Sequence, residues 1–106
     1  MRIKYSPDVR EKLRQMRKYV GQNKISKITK SIRGLIGAPY KCPAVENMLG
    51  VSNPYYFLHV EQYYIFYRVE NDIVFIADIY NEREDFMWKM FGIKLRTQES
   101  QDYWGE

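Results

Sequence analysis

Between Tyr55 and Tyr80 three strand-like runs follow one another with almost no chain between them, and this limits the fold more than any other feature. Runs joined by so few residues pair as antiparallel neighbours, because a parallel return needs a crossover of about a dozen residues or more. Asn71-Asp72, between the second and third runs, fits a tight turn. Alternation then assigns the faces. In residues 55–62 the set Tyr56, Leu58 and Val60 turns toward a core, and Phe57, His59 and Glu61 turn away. In residues 63–70 Ile65, Tyr67 and Val69 point inward, and Tyr64, Phe66 and Arg68 outward. In residues 73–80 Ile73, Phe75, Ala77 and Ile79 are expected inward, with Val74, Ile76, Asp78 and Tyr80 outward. The outward face is therefore expected to display His59, Tyr64, Phe66, Arg68, Asp78 and Tyr80, a surface able to stack bases and hold a phosphate. Tyr and Phe are also ordinary strand formers, so the composition by itself is equally that of any sheet.

Ahead of these runs the pattern is helical. Arg2 to Tyr5 reads as a short strand, and Ser6-Pro7-Asp8 supplies an N-cap, a proline at the first helical position and an acid in the first turn. Val9, Leu13, Met16 and Val20 lie on one helical stripe that Gly21 ends, and Ile25, Ile28, Ile32 and Leu35 form a second that stops at Gly37. Lys12, Arg14, Arg17 and Lys18 remain on the surface of this helical hairpin. Residues 39–54 hold three prolines and a glycine and read mainly as a connecting loop, either functional or packing Val45, Met48 and Leu49 as a lid. Phe86, Met87, Met90 and Phe91 predict a short final helix ending at Gly92, and residues 94–106 a polar tail.

Charge is segregated. Through residue 42 Lys and Arg outnumber acids twelve to two, whereas beyond it five basic residues face eleven acidic ones. Such a basic half attracts nucleic acid or an acidic protein, unless it is simply a solvated helix face. A single cysteine, Cys42, allows no intramolecular disulfide, and no apolar run approaches the length of about 18 residues that a membrane span needs. A cytoplasmic protein without a membrane partner, metal or other cofactor is expected.

Taken in order, Ile3-Lys4-Tyr5-Ser6-Pro7 leading into a basic hairpin, Leu49-Gly50 before the next strand, Tyr63-Tyr64-Ile65-Phe66-Tyr67-Arg68-Val69, and Arg83-Glu84-Asp85 carry a resemblance. The chain resembles the RelE/ParE superfamily of toxins from type II toxin-antitoxin modules over roughly residues 1–93, leaving 94–106 as a tail. The resemblance implies a small α+β, RelE-like fold, with an N-terminal strand and helical hairpin packed on one face of an antiparallel sheet and a short C-terminal helix. It implies an antitoxin partner lying across the basic hairpin and the sheet.

The superfamily includes ribosome-dependent mRNA endonucleases, and that activity is the first expectation, with the ribosome and mRNA as partners. Metal-independent cleavage needs help for 2′-hydroxyl attack, charge on the phosphate oxygens and a proton for the leaving 5′-oxygen. The resemblance assigns Arg83 to the phosphate, His59 to the place of a catalytic lysine, and Lys89 to the acid near the position of a C-terminal tyrosine. Tyr64 stands where RelE-like enzymes have an arginine, so Arg68 is expected to supply charge from the same face. Tyr64, Phe66, Arg68, Arg14, Arg17 and Lys18 are then the RNA-binding candidates. Two alternatives stay open: a ParE-type inhibitor of DNA gyrase without nuclease activity, and a non-toxic member that keeps antitoxin binding.

Overall fold

Ser6 shows how the chain is put together in the computed structural model, which describes residues 1–50 and 52–84. Its hydroxyl accepts a hydrogen bond from the Val9 N–H, capping helix α1 (Pro7–Met16), and donates one to the Ala77 carbonyl on the last strand. The elements are β1 (Arg2–Tyr5), α1, α2 (Gln22–Arg33) with a 3-10 turn (Gly34–Ile36), α3 (Val45–Leu49), β2 (Tyr56–Val60), β3 (Tyr63–Glu70) and β4 (Ile73–Asn81). The sheet order is β1-β4-β3-β2. The three consecutive strands are antiparallel, while β1 lies parallel to β4, so the sheet is mixed.

The helical hairpin covers one face of the sheet. Val9, Leu13 and Met16 from α1 and Ile25, Ile28 and Ile32 from α2 are buried against Ile65, Tyr67, Val74, Ile76 and Ile79. Each such side chain taken out of water contributes about 1.5–3 kcal/mol, which is why the two apolar stripes form helices on a core rather than isolated ones. Helix α1 ends at Met16, short of Val20, because Lys18 and Tyr19 bond back to the carbonyls three residues earlier and tighten the last turn. Val20 still packs against the core. Gly21 (φ +99°) makes the reversal into α2. Asn71 and Asp72 both take positive φ, +51° and +61°, which gives the tight hairpin turn expected there.

Two expectations are corrected. The loop 39–54 contains α3, whose left-handed Gly50 (φ +75°) ends it, and Val45 and Leu49 pack over the outer face of the sheet while Met48 stays exposed. The predicted phase of β4 holds only past a bulge. Phe66 pairs with Asp78 but Tyr67 pairs with Ile76, so Ala77 is an extra residue. Before it, Val74 and Ile76 face the helices, and Phe75 turns to the outer face, where it meets Arg68; beyond it Ile79 faces inward, and Asp78 and Tyr80 lie outward with their partners Phe66 and Tyr64.

The bulge sits where β1 runs out. β1 pairs only with Ile73–Ile76, and past that point the edge of β4 lacks a strand neighbour. Side chains from α1 take its place: Ser6 bonds the Ala77 carbonyl, and Lys12 Nζ donates to the Ile79 carbonyl at 2.9 Å. The expected C-terminal helix, Lys89 and the tail 94–106 lie outside the described residues.

Candidate functional site

The outer face is not one open surface. Its centre is closed by Val45, Phe66 and Tyr80, with Leu49, Tyr55, Phe57 and Tyr64 packed around them. Phe66 is fully buried and Tyr80 is 5% exposed. The expectation that Phe66 is displayed for stacking is therefore corrected: its ring fills a second small core beneath α3. Strand alternation places Phe66 on the correct face, but whether that face is covered depends on residues twenty positions away in sequence.

What remains at one end is a cluster around His59. Register sets His59 opposite Tyr64, and the two rings stack with centroids 4.4 Å apart and planes 6° from parallel. His59 Nε2 lies 3.1 Å from Glu82 Oε1. Glu82 reaches this position because its N–H bonds the Gln62 carbonyl, extending the β3–β4 pairing one residue past the strand. The turn that follows is held from both sides: Asn81 Oδ1 accepts the Arg83 N–H, and Glu84 Oε2 accepts the Asn81 N–H. Arg83 is thereby held at an exposed position next to His59's partner, and among the described residues no carboxylate pairs with its guanidinium. With the Glu82 carboxylate accepting from Nε2–H, Nδ1 is left as an acceptor. His59 and Tyr64 are thus in contact, and Arg83 follows the carboxylate partner of His59 in the chain. Glu82 had no local signal in the sequence, since its role follows from β3–β4 register.

Arg68 is not part of this group. It lies on the same face but four residues along β3 from Tyr64, about 13 Å at strand rise. Its guanidinium carbon stands 4.5 Å from the Phe75 ring centroid, and one nitrogen is 3.7 Å from Glu70. Arg14 on α1 and Arg17 and Lys18 in the turn that follows it lie on the opposite side of the sheet. Arg14 is bridged to Glu11 at 2.8 Å, and hydrogen bonds from Gln15 and Arg14 hold the Glu11 carboxyl below the usual range.

Lys12 departs from the surface position expected for it. Its ammonium reaches Asp78 Oδ1 at 2.7 Å, the Ile79 carbonyl, and the face of Tyr80 at 4.0 Å. Asp78 in turn accepts from the Ile79 N–H and the Tyr80 hydroxyl. Burial first, and then the Asp78 hydrogen bond, pushes the Tyr80 phenol up. This cluster ties α1 to the edge of β4. Among the described residues no group of three or more His, Cys, Asp or Glu side chains is arranged to hold a metal ion, and no helix is long and apolar enough to cross a membrane.

A helical hairpin on one face of a four-stranded β1-β4-β3-β2 sheet, with an arginine displayed just past the last strand, is a small α+β architecture consistent with the RelE-like fold. The family model described as "ParE toxin of type II toxin-antitoxin system, parDE" matches residues 3–86, and the chain belongs to that family. It is a toxin-antitoxin toxin, and its class implies an antitoxin as partner. No curated protein matches the chain.

Proposed function

We propose that this toxin acts by binding a protein target, DNA gyrase as for ParE-type inhibitors, rather than by cutting RNA. The observation that carries the reading is the dispersal of the side chains expected to bind RNA. Metal-free RNA cleavage needs a base, an acid and positive charge converging on one phosphate. Of the side chains expected to bring RNA to that point, Phe66 is buried under α3, Arg68 stands beside Phe75 about 13 Å along the strand, and Arg14, Arg17 and Lys18 belong to the helical hairpin on the far side of the sheet. The ParE family match over residues 3–86 supports the same conclusion. A protein-binding inhibitor requires surfaces rather than convergent catalytic groups, and the basic hairpin with Arg14, Arg17 and Lys18 supplies one.

The test pairs two assays on the same preparation: gyrase supercoiling and DNA cleavage, and translation of a defined mRNA with mapping of its 5′ ends. Inhibited gyrase with intact mRNA is expected. Cleavage between codons that disappears in Arg83→Ala and His59→Gln would overturn the proposal.

One observation favours a second reading, endonuclease activity. The His59–Glu82 pair adjoins an Arg83 with no carboxylate partner among the described residues. In that reading His59 accepts the 2′-hydroxyl proton, Arg83 binds the phosphate oxygens, and the products carry a 2′,3′-cyclic phosphate and a 5′-hydroxyl. Lys89, the acid in that scheme, lies outside the described residues.

A further inference from the structure

The helical hairpin sorts its cations by type. Residues 7–36 hold four arginines and five lysines. Arg10, Arg14 and Arg17 line a crevice where β1, α1 and α2 meet, together with Tyr5, Leu13 and Thr29; among the described residues no lysine and no acid lines it. The three arginines follow one another at spacings of four and three, which puts them on one stripe of α1 and its last turn. Like charges at these spacings repel one another. Arg10 and Arg17 have no ion pair among the described residues, and the pair of Arg14 with Glu11 is weak because both side chains are more than half exposed. Burial pushes the Tyr5 phenol up, with the Arg33 guanidinium near enough to oppose the effect, so all four arginines of the hairpin act on this corner. The phenol is thus a neutral O–H donor, and it makes no hydrogen bond among the described residues. Thr29 adds no charge and no free donor, since its hydroxyl donates to the Ile25 carbonyl at 3.0 Å.

We propose that this crevice binds an oligophosphate, the linked phosphates of a nucleoside triphosphate or of free polyphosphate, with Arg10, Arg14 and Arg17 on the phosphate oxygens and the Tyr5 hydroxyl donating to one of them. The residue type selects phosphate. A guanidinium fork bonds two oxygens of one phosphate in its plane, whereas an ammonium acts as a point charge, and this opening gathers the forks and leaves the lysines outside. The density of charge selects linked phosphates. Three guanidiniums around a space of about 310 Å³, the small end of ligand sites, are neutralised by several charges held within one compact ligand. A nucleic-acid strand spaces single charges along its length, and an acidic peptide carries one charge on each flexible side chain. A compact anion also relieves the repulsion along the stripe, which gives it an advantage over ligands that reach one arginine at a time. The inference does not rest on the target of the toxin, because it needs only this crevice and not a surface for gyrase or a site for RNA cleavage.

Titration of the full-length, 15N-labelled chain at constant ionic strength tests this with tripolyphosphate, ATP, pentathymidylate and hexaglutamate. Tripolyphosphate is expected to shift the amide signals of Leu13, Arg14, Arg17 and Thr29 to saturation, and to bind more tightly than pentathymidylate or hexaglutamate. ATP binding more tightly than tripolyphosphate identifies a nucleotide as the source of the phosphates, and equal or weaker ATP binding identifies free oligophosphate; both outcomes uphold the proposal. Arg10→Gln and Arg17→Gln should each weaken tripolyphosphate binding roughly three- to tenfold, between the effect of an exposed ion pair and that of a hydrogen bond to a charged group. Lys41→Gln, which removes the same charge from an exposed position outside the crevice, should leave binding unchanged. Pentathymidylate or hexaglutamate binding as tightly as tripolyphosphate, an equal loss in Lys41→Gln, unaltered affinity in both arginine variants, or absence of saturable binding would each overturn the proposal. Unchanged amide signals elsewhere in the two arginine variants establish that they remain folded.

Discussion

Lys12→Met tests how the free edge of the sheet is closed. The side chain is 38% exposed and its ammonium makes three contacts: Asp78 Oδ1 at 2.7 Å, the Ile79 carbonyl at 2.9 Å and the Tyr80 ring at 4.0 Å. The exposure puts the ion pair at about 0.5 kcal/mol, inside the range measured for solvent-exposed pairs. The hydrogen bond to the carbonyl adds about 1 kcal/mol and the contact with the ring about 0.5 kcal/mol. Methionine keeps most of the apolar stem, so the loss isolates the charge, and about 2 kcal/mol is expected. For a domain of this size that lowers Tm by about 8–16 °C. Asp78→Asn removes the carboxylate charge, keeps an acceptor oxygen for the Ile79 N–H and sets an amide NH2 donor opposite the Tyr80 hydroxyl, which can then accept. In a double-mutant cycle followed by urea unfolding, the two substitutions should therefore cost about 0.5–1 kcal/mol less together than the sum of each alone. A Lys12→Met variant melting within about 2 °C of the parent, or strict additivity in the cycle, refutes the account of the edge.

Phe66→Ala should destabilise the chain by about 3–5 kcal/mol, because a fully buried ring is removed from beneath α3; a loss below about 1 kcal/mol in urea unfolding would mean that the second core is not packed as described. Alkaline pH should also weaken the fold. Burial pushes the Tyr67 and Tyr80 phenols up from their ordinary value, with the Asp78 carboxylate adding to the effect at Tyr80. A raised folded value means the neutral phenol is the form the fold holds, so stability is complete below pH about 10 and declines above it as the unfolded chain ionises. The slope approaches about 1.4 kcal/mol per pH unit for each phenol, and it should shrink in Tyr67→Phe and Tyr80→Phe; urea midpoints that stay level from pH 9 to 11 contradict it.

Much of the frame was legible because local rules act alone there. Ser6-Pro7-Asp8 starts α1 where capping chemistry says, the stripes of α1 and α2 point at the sheet, and Asn71-Asp72 turns as its residue types demand. The misreadings share a physical cause, which is contact between distant segments. Strand alternation fails at Ala77, a bulged residue just past the last β1 pair at Ile76, whose carbonyl accepts a hydrogen bond from Ser6 instead of a strand. Phe66 looked like a displayed ring because no periodicity in β3 reveals that Val45 and Leu49 fold over it. Lys12 looked like one more solvated cation of the hairpin, and only the position of Asp78 shows that it reaches the sheet. Arg68 shared a face with His59, as alternation required, but sharing a face fixed a direction and not a distance.

The parallel pairing of β1 with β4 sets an order of events during synthesis. Ser6 and Ala77 are joined across 71 positions, so the first strand to leave the ribosome has no neighbour until the last described strand has emerged. Until then α1 lacks the strand it packs on, and closing so long a loop carries an entropic cost that only the finished sheet repays. The hairpin β2–β3 and helices α1 and α2 can form on the nascent chain, but the four-stranded sheet cannot be completed before residues 73–81 have cleared the exit tunnel. A toxin built this way is assembled late, when nearly all of its described length has already been made.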